Sequence, residues 1–423
     1  MTAFQLFALF LALVAFAGWL NARTVQAPPA VAMLAAGLAG AAALAGLQHL
    51  DPTVFAAQAV IAAVGRIDFG QAVLGYMLAF LLFAGAMQVD LSELRRQRVS
   101  IWSLATLGVA ASTLIVGVGV WLAARALGTT LTLAWALVFG ALISPTDPIA
   151  VLATVKRGGL SPRMQVVLQG EALFNDGVGI VVFSAMVALA AGGAATPLTA
   201  LGAVLIKAVG GLALGMASGW LVVRIMRTVR DHVVEVSLSL ALAAGAYAGA
   251  EALHLSGAIA VVGAGLLIGD IRRETTGASD FDYLQTFWSL IDELLNAILF
   301  FLLGLQLLVV PFDPRLVGLS VAAVALVLAA RFAVVLPWGV YFSARHGERG
   351  AGPILAWGGL HGALSLALAL SVPPGPQRGL ILGVTFVVAT FSVLVQGLTF
   401  TPLAAALGRA PKPAKAHKPV VKV

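Results

Sequence analysis

Apolar runs of about 20 residues follow one another along the chain, separated by short stretches that hold Arg, Lys, Asp, Glu, Pro or Gly. A helix rises about 1.5 Å per residue, so each run is long enough to cross a hydrocarbon core of about 30 Å. In that medium the backbone must bond to itself, which a helix does within one segment. The pattern therefore predicts an all-α integral membrane protein. Boundaries set at charges, Pro and Gly give about thirteen transmembrane helices, the first four at 2–20, 29–47, 70–90 and 99–125. Five follow at 131–155, 163–191, 197–225, 233–253 and 256–270, and the last four at 281–310, 315–344, 350–371 and 378–407. The run 2–20 lacks a basic start and a small-residue cleavage site, so it counts as a span and not as a secretory signal. Residues 52–66 are apolar but short, and are expected to lie at the interface without crossing.

Composition sharpens the class. Of 423 residues, 61% are hydrophobic and 10% charged, against about 25% charged in a water-soluble domain. The 46 glycines let helix backbones approach closely in lipid, which points to a tight bundle. Without cysteine there is neither a disulfide nor a thiolate metal site, and the six histidines form no pair at metal-ligand spacing. The net charge of +7 follows the topology and does not call for nucleic acid. Alternate connections, with the tail, hold nineteen Lys and Arg, among them Arg95, Arg96, Arg98, Arg224, Arg227, Arg272 and Arg345. The opposite connections hold four: Arg66, Arg125, Arg315 and Arg378. Basic residues accumulate on the cytoplasmic side, so thirteen spans place the N-terminus outside and the C-terminus in the cytoplasm of a cell-membrane protein. The Pro/Lys/Ala tail, 408–423, is too short and polar to fold and is expected to be a disordered basic segment.

Ionisable groups inside spans are costly and need a reason to be there. Asp147 interrupts the fifth span within Ile143-Ser144-Pro145-Thr146-Asp147-Pro148. Two prolines three residues apart remove donors and disfavour helix at the residues before them, so the helix breaks there. Carbonyls released by a break at membrane depth can coordinate a cation. The sixth span carries Gly170-Glu171-Ala172-Leu173-Phe174-Asn175-Asp176-Gly177. Helical geometry sets Glu171 and Asp176 about 140° apart, so they cannot share a ligand. Ala172, Asn175, Asp176 and Gly179 share a stripe, whereas Glu171 points elsewhere. Arg331, in the eleventh span, is its expected structural partner, because a buried guanidinium needs a carboxylate. Asp176 is then the group left to exchange a proton for a cation. Burial favours a neutral carboxyl and a bound cation favours the carboxylate, so the two ions compete. Asn175 can satisfy the broken helix with no charge of its own.

Other features are weaker. Trp357-Gly358-Gly359-Leu360-His361-Gly362-Ala363 suits a second broken helix crossing the first. His361 is either a proton-path group or a buried polar residue bonded to backbone. Gly211, Gly215 and Gly219 form a small-residue stripe better suited to ordinary helix packing than to a dimer seam. Asp292 and Glu293 stand at a helix start, as a cation funnel or as a solvated end. Lys207 has no evident partner in the sequence. Spans four to six and eleven to thirteen share this mix of polar groups, Gly and Pro, as inverted repeats do.

The run Ser144 to Pro148 followed by Gly170 to Gly177 resembles the signature of the monovalent cation:proton antiporter-1 family, which holds NhaP-type sodium/proton antiporters and animal sodium/proton exchangers. Further pieces agree: Phe80-Leu81-Leu82-Phe83-Ala84, Ser256-Gly257-Ala258-Ile259-Ala260, Phe287-Trp288 with Leu294-Leu295-Asn296, and Val395-Gln396-Gly397-Leu398-Thr399. The resemblance implies a homodimer in which an ion-translocating core, 99–191 and 315–407, moves against a dimerisation scaffold, 1–90 and 197–310. It implies that Asp176 binds Na⁺, that Asp147 and Thr146 complete the site, and that Asn175 marks electroneutral exchange of one cation for one proton. Two positions depart from the pattern. Ala172 stands where many relatives have serine, and His361 where many have arginine. Na⁺ and H⁺ are the expected substrates, with Li⁺ or K⁺ as other cations, and neither cofactor nor enzymatic step is called for.

Other classes fit less of the chain. A K⁺/H⁺ antiporter is the nearest alternative. A cation channel needs a filter-like segment, and none appears. An intramembrane aspartyl protease needs two aspartates on neighbouring helices, which Asp147 and Asp176 superficially supply.

Overall fold

The structure, a computed structural model, describes residues 3–50, 62, 64–65, 68–147, 160–192, 197–229, 231–275, 278–310, 313–348 and 350–407. Most of the predicted interfacial segment 52–66, Pro148 with the second half of the fifth span, and the tail 408–423 lie outside the described residues.

The described residues form helices without a strand. Helices α1 (Ala3–Arg23), α2 (Pro29–Leu50), α3 (Phe69–Gln88) and α4 (Arg98–Ala126) come first. Then come α5 (Leu133–Ile143), α6 (Pro162–Ala190), α7 (Pro197–Met226), α8 (His232–Ala252) and α9 (Gly257–Thr275). The remainder are α10 (Ala278–Leu305), α11 (Val317–His346), α12 (Ala351–Gly358), α13 (Ala363–Leu370) and α14 (Arg378–Leu407). By length and composition, 9 of the described helices can cross a membrane, and α1, α5 and α9 contain shorter apolar stretches. Starts are set by side chains that accept from backbone N–H groups, as expected of N-caps: Thr132 for α5, Ser161 before Pro162 for α6, and Asp231 for α8. Gly347, with φ +68°, ends α11 in the left-handed conformation that glycine adopts without strain. Single π turns interrupt α3 at Ala72–Met77, α4 at Leu104–Gly108 and α14 at Ser392–Gln396.

Two sets of helices pack mainly within themselves. In one, α7 and α3 lie along α9, and α2 and α3 along α10; in the other, α4 touches α5 and α11, α11 touches α12 and α14, and α5 touches α6. Gly211, Gly215 and Gly219 are used inside the first set. A methyl group at Gly211 or Gly215 would strike the carbonyls of Ser256 or Ala260, so this stripe is what lets α7 lie against α9. Between α3 and α10, Trp288 is fully buried against Phe80 and Phe83, and its indole N–H donates to Ser239 Oγ at 3.0 Å.

The second set contains two interrupted segments. Helix α5 stops at Ile143, where Ser144 Oγ turns back to the Gly140 carbonyl at 2.6 Å and Pro145 offers no N–H. Helix α12 stops at Gly358, and α13 begins only at Ala363. The two non-helical stretches run antiparallel, joined as a bridge in which Asp147 N–H donates to the Leu360 carbonyl at 2.6 Å. Each break thereby supplies the other with a partner that lipid cannot.

Candidate ion-binding site

The interrupted segments meet against the middle of α6. Thr146 (4% exposed) and Asn175 (1% exposed) are buried, and Asn175 Nδ2 donates to Thr146 Oγ1 at 2.9 Å. This bond ties the broken helix to the unbroken one next to it. Asp147 and Asp176 both line a cavity of about 110 Å³, together with Thr146, Ala172 and Pro145. Asp147 lies across Gly362, where a side chain would run into its carboxylate. Gly179 plays a similar part on α6, since a Cβ there would meet the Pro145 ring. The two carboxylates interact electrostatically across the cavity. With two aspartates and a threonine lining one small space, the arrangement suits a hard cation and offers no soft ligand.

Behind the break lies a second cavity of about 10 Å³, reached by Ser144, Thr146, Glu171, Asn175, Arg331 and His361. Arg331 grips Glu171 with both terminal nitrogens: Nη1 donates to Oε1, and Nη2 to Oε2 at 2.9 Å. Nη2 also donates to the Leu355 carbonyl at 3.1 Å, which fastens the end of α12 to the pair. The guanidinium occupies the space that a side chain at Gly359 would need. Glu171 and Asp176 thus face different neighbours, as their angular separation on α6 requires.

His361 is placed behind the break and not in the larger cavity. Its backbone N–H donates to Ser392 Oγ at 2.9 Å, and its Nδ1 lies 3.2 Å from the Pro145 carbonyl. A carbonyl only accepts, so Nδ1 carries the proton in this contact. Ala172 lines the larger cavity and presents a methyl group where a serine would present oxygen. Asp292 lines that cavity from the middle of α10 and not from a helix start, because the helix already begins at Ala278, whereas Glu293 lies on a shallow outer surface with Gln285 and Ser289. Lys207 lines a polar pocket with Ser184, Tyr247, Glu251 and His254, away from the candidate site.

Several polar residues of the larger cavity were not singled out as site residues from sequence: Gln88, Gln169, Asn296 and Ser365. Asn296 carried a usable signal, because it sits one helical turn after Asp292 and must share its face.

A pair of half-buried carboxylates lining one cavity where two broken helices cross, inside a bundle of apolar helices, defines a membrane protein that carries ions. The family model described as "Sodium/hydrogen exchanger, transmembrane" matches residues 10–406, and the chain belongs to that family. It is 39% identical over 406 residues to the Na(+)/H(+) antiporter NhaP of Pseudomonas aeruginosa, covering 94% of this chain and 96% of that one. It is 34% identical over 398 residues to the Na(+)/H(+) antiporter NhaH of Halobacillus aidingensis, covering 92% and 94%. Among solved structures, the sodium proton antiporter MjNhaP1 from Methanocaldococcus jannaschii superposes with a TM-score of 0.75 at 20% identity, covering 98% of this chain and 100% of that one. That likeness establishes the fold.

Proposed function

We propose that the protein is a secondary transporter that exchanges one Na⁺ for one H⁺ across a cell membrane, with Asp176 holding the proton and the cation in turn. One observation carries the reading: Asp176, Asp147 and Thr146 face a single cavity at the crossing of two broken helices. Na⁺ entering that cavity finds carboxylate and hydroxyl oxygens and displaces the proton on Asp176. The proton leaves by the route the ion used, and neither ion can stay once the other is bound. Asn175 holds Thr146 through an amide and adds no charge, so one positive charge is traded for another. The membrane potential then exerts no net drive.

The cavity also supports a division of labour. Its walls come from α3 and α10 on one side and from the α5 break, α6 and α13 on the other. We assign α4 to α6 and α11 to α14 to a core that carries the ion, and α1 to α3 with α7 to α10 to a scaffold that pairs with a second copy. The lining residues Gln88 and Gln169 lie within about two turns of the ends of α3 and α6 that adjoin basic connections. The state described is accordingly open to the cytoplasm, with the N-terminus outside. Glu171 and Arg331 bind α6 to α11 and take no part in transport.

The test is Na⁺-driven proton movement in proteoliposomes, titrated separately with Na⁺, Li⁺ and K⁺. The expected result is Na⁺-coupled flux that Asp176→Asn abolishes and that valinomycin with K⁺ does not alter. Undiminished flux in Asp176→Asn overturns the proposal, and coupling to K⁺ alone would make it a K⁺/H⁺ exchanger.

A further inference from the structure

The polar groups at the α10 side of the cavity have no part in the exchange as described. Asn296 is 5% exposed and lines the same cavity as Asp176, Asp147 and Thr146. Its amide orientation is decided by its neighbour one turn earlier. Asn296 Nδ2 lies 2.9 Å from Asp292 Oδ1, and an ionised carboxylate only accepts, so the nitrogen must face Asp292 and the oxygen must face away. That oxygen, Oδ1, is buried and has no hydrogen-bond partner among the described residues. Across the cavity, Ser365 on α13 is 1% exposed, and its Oγ is likewise buried and without a hydrogen-bond partner. Helices α10 and α13 are in contact, so Asn296 and Ser365 line adjoining walls of the cavity.

A buried carbonyl oxygen with no donor is costly, and native interiors seldom keep one without a ligand. The chemistry of this one is specific. Its amide nitrogen donates to a carboxylate, which increases the negative character of the oxygen. The residue lines a space already edged by two carboxylates and a threonine, where an anion would be repelled and a cation held.

We infer that Asn296 is a cation ligand contributed by the scaffold, with Asp292 orienting its amide, and that it acts only while the site faces the cytoplasm. The inference rests on the antiport reading and on the division into core and scaffold. Asp176, Asp147, Thr146 and Ser365 all belong to the core and travel with the ion. Asn296 stays behind on α10. A cation on the cytoplasmic side is therefore bound by one more oxygen than on the outer side, which makes the two faces unequal in affinity. Ser365 Oγ meanwhile supplies the core with a hydroxyl in a cavity where Ala172 has none.

The experiment compares Asn296→Leu and Asn296→Asp in the full chain. Everted and right-side-out membrane vesicles report the KM for Na⁺ at the cytoplasmic and outer faces separately. Losing one oxygen ligand from a charged partner is expected to raise the cytoplasmic KM of Asn296→Leu by about tenfold and leave the outer KM within about twofold. Asn296→Asp keeps an oxygen in place while losing the donor to Asp292, so its cytoplasmic KM is expected at or below that of the unsubstituted chain. If Asn296 served only to hold Asp292, both variants would be impaired alike, which overturns the inference. An equal rise at both faces, or no rise in Asn296→Leu, overturns it too. A second readout needs no transport: Na⁺ should raise the thermal unfolding temperature of the purified chain and of Asn296→Asp, and do so more weakly in Asn296→Leu. A failure of antiport itself would appear separately, as an absence of Na⁺-coupled flux in the unsubstituted protein.

Discussion

Removing either member of the Glu171–Arg331 pair should destabilise the fold more than almost any other single change. Glu171 is 1% and Arg331 8% exposed, so neither charge can fall back on water. Arg331→Ala strips Glu171 of both guanidinium contacts and also deprives the Leu355 carbonyl of a donor. Glu171→Ala leaves a buried guanidinium with only the Leu355 carbonyl among the contacts its terminal nitrogens make. Breaking a buried pair by removing one partner costs about 3–5 kcal/mol, chiefly because the surviving charge is uncompensated. At about 2 °C per kcal/mol for a chain of this size, each single variant should melt about 6–10 °C lower. The double replacement Glu171→Ala with Arg331→Ala leaves no orphaned charge and should regain much of the loss, giving a coupling of about 2 kcal/mol or more. Thermal unfolding of the detergent-solubilised protein, followed by tryptophan fluorescence, reads all three. Single variants that melt within about 1 °C of the unsubstituted protein would refute the reasoning, as would a double variant whose loss is the sum of the two.

Two further outcomes follow from the cavity. Ala172→Ser places a hydroxyl in the wall facing Asp176 and should lower the KM for Na⁺ by about three- to tenfold; an unchanged KM would mean that the hydroxyl turns instead to the carbonyl one turn back on α6. Because H⁺ and Na⁺ compete for Asp176, the KM for Na⁺ should rise as pH falls, by up to about tenfold per pH unit once the proton predominates. Flux measured at equal pH on both sides of the membrane tests this, and a KM indifferent to pH refutes competition at one carboxylate.

The sequence alone determined the membrane class, because apolar runs long enough to cross a bilayer leave the backbone no structure but helix. It also located both interruptions. Pro145 removes a donor whatever surrounds it, and Gly358, Gly359 and Gly362 weaken a helix in any context. The angular argument on α6 needed only the pitch of a helix to send Glu171 and Asp176 to different neighbours. What the pitch could not supply was the identity of those neighbours. The cost of an unpaired buried guanidinium named Arg331 as the partner of Glu171, but only α4 and α12, which touch both α6 and α11, bring the two side chains, 160 residues apart, within reach. His361 shows the same limit. From sequence it was either a proton-path group or a buried polar residue bonded to backbone, and only the crossing of the two breaks set it beside the Pro145 carbonyl and behind the cavity. Asn296 is the clearest case. Its spacing from Asp292 was legible, but whether the residue met lipid, protein or the cavity beside Asp176 depended on how α10 packs against its neighbours. Local chain chemistry fixes where a helix can form or must stop, because those interactions lie within a few residues. Which buried oxygens converge on one space is fixed by packing between distant segments, and the tertiary structure alone decides that.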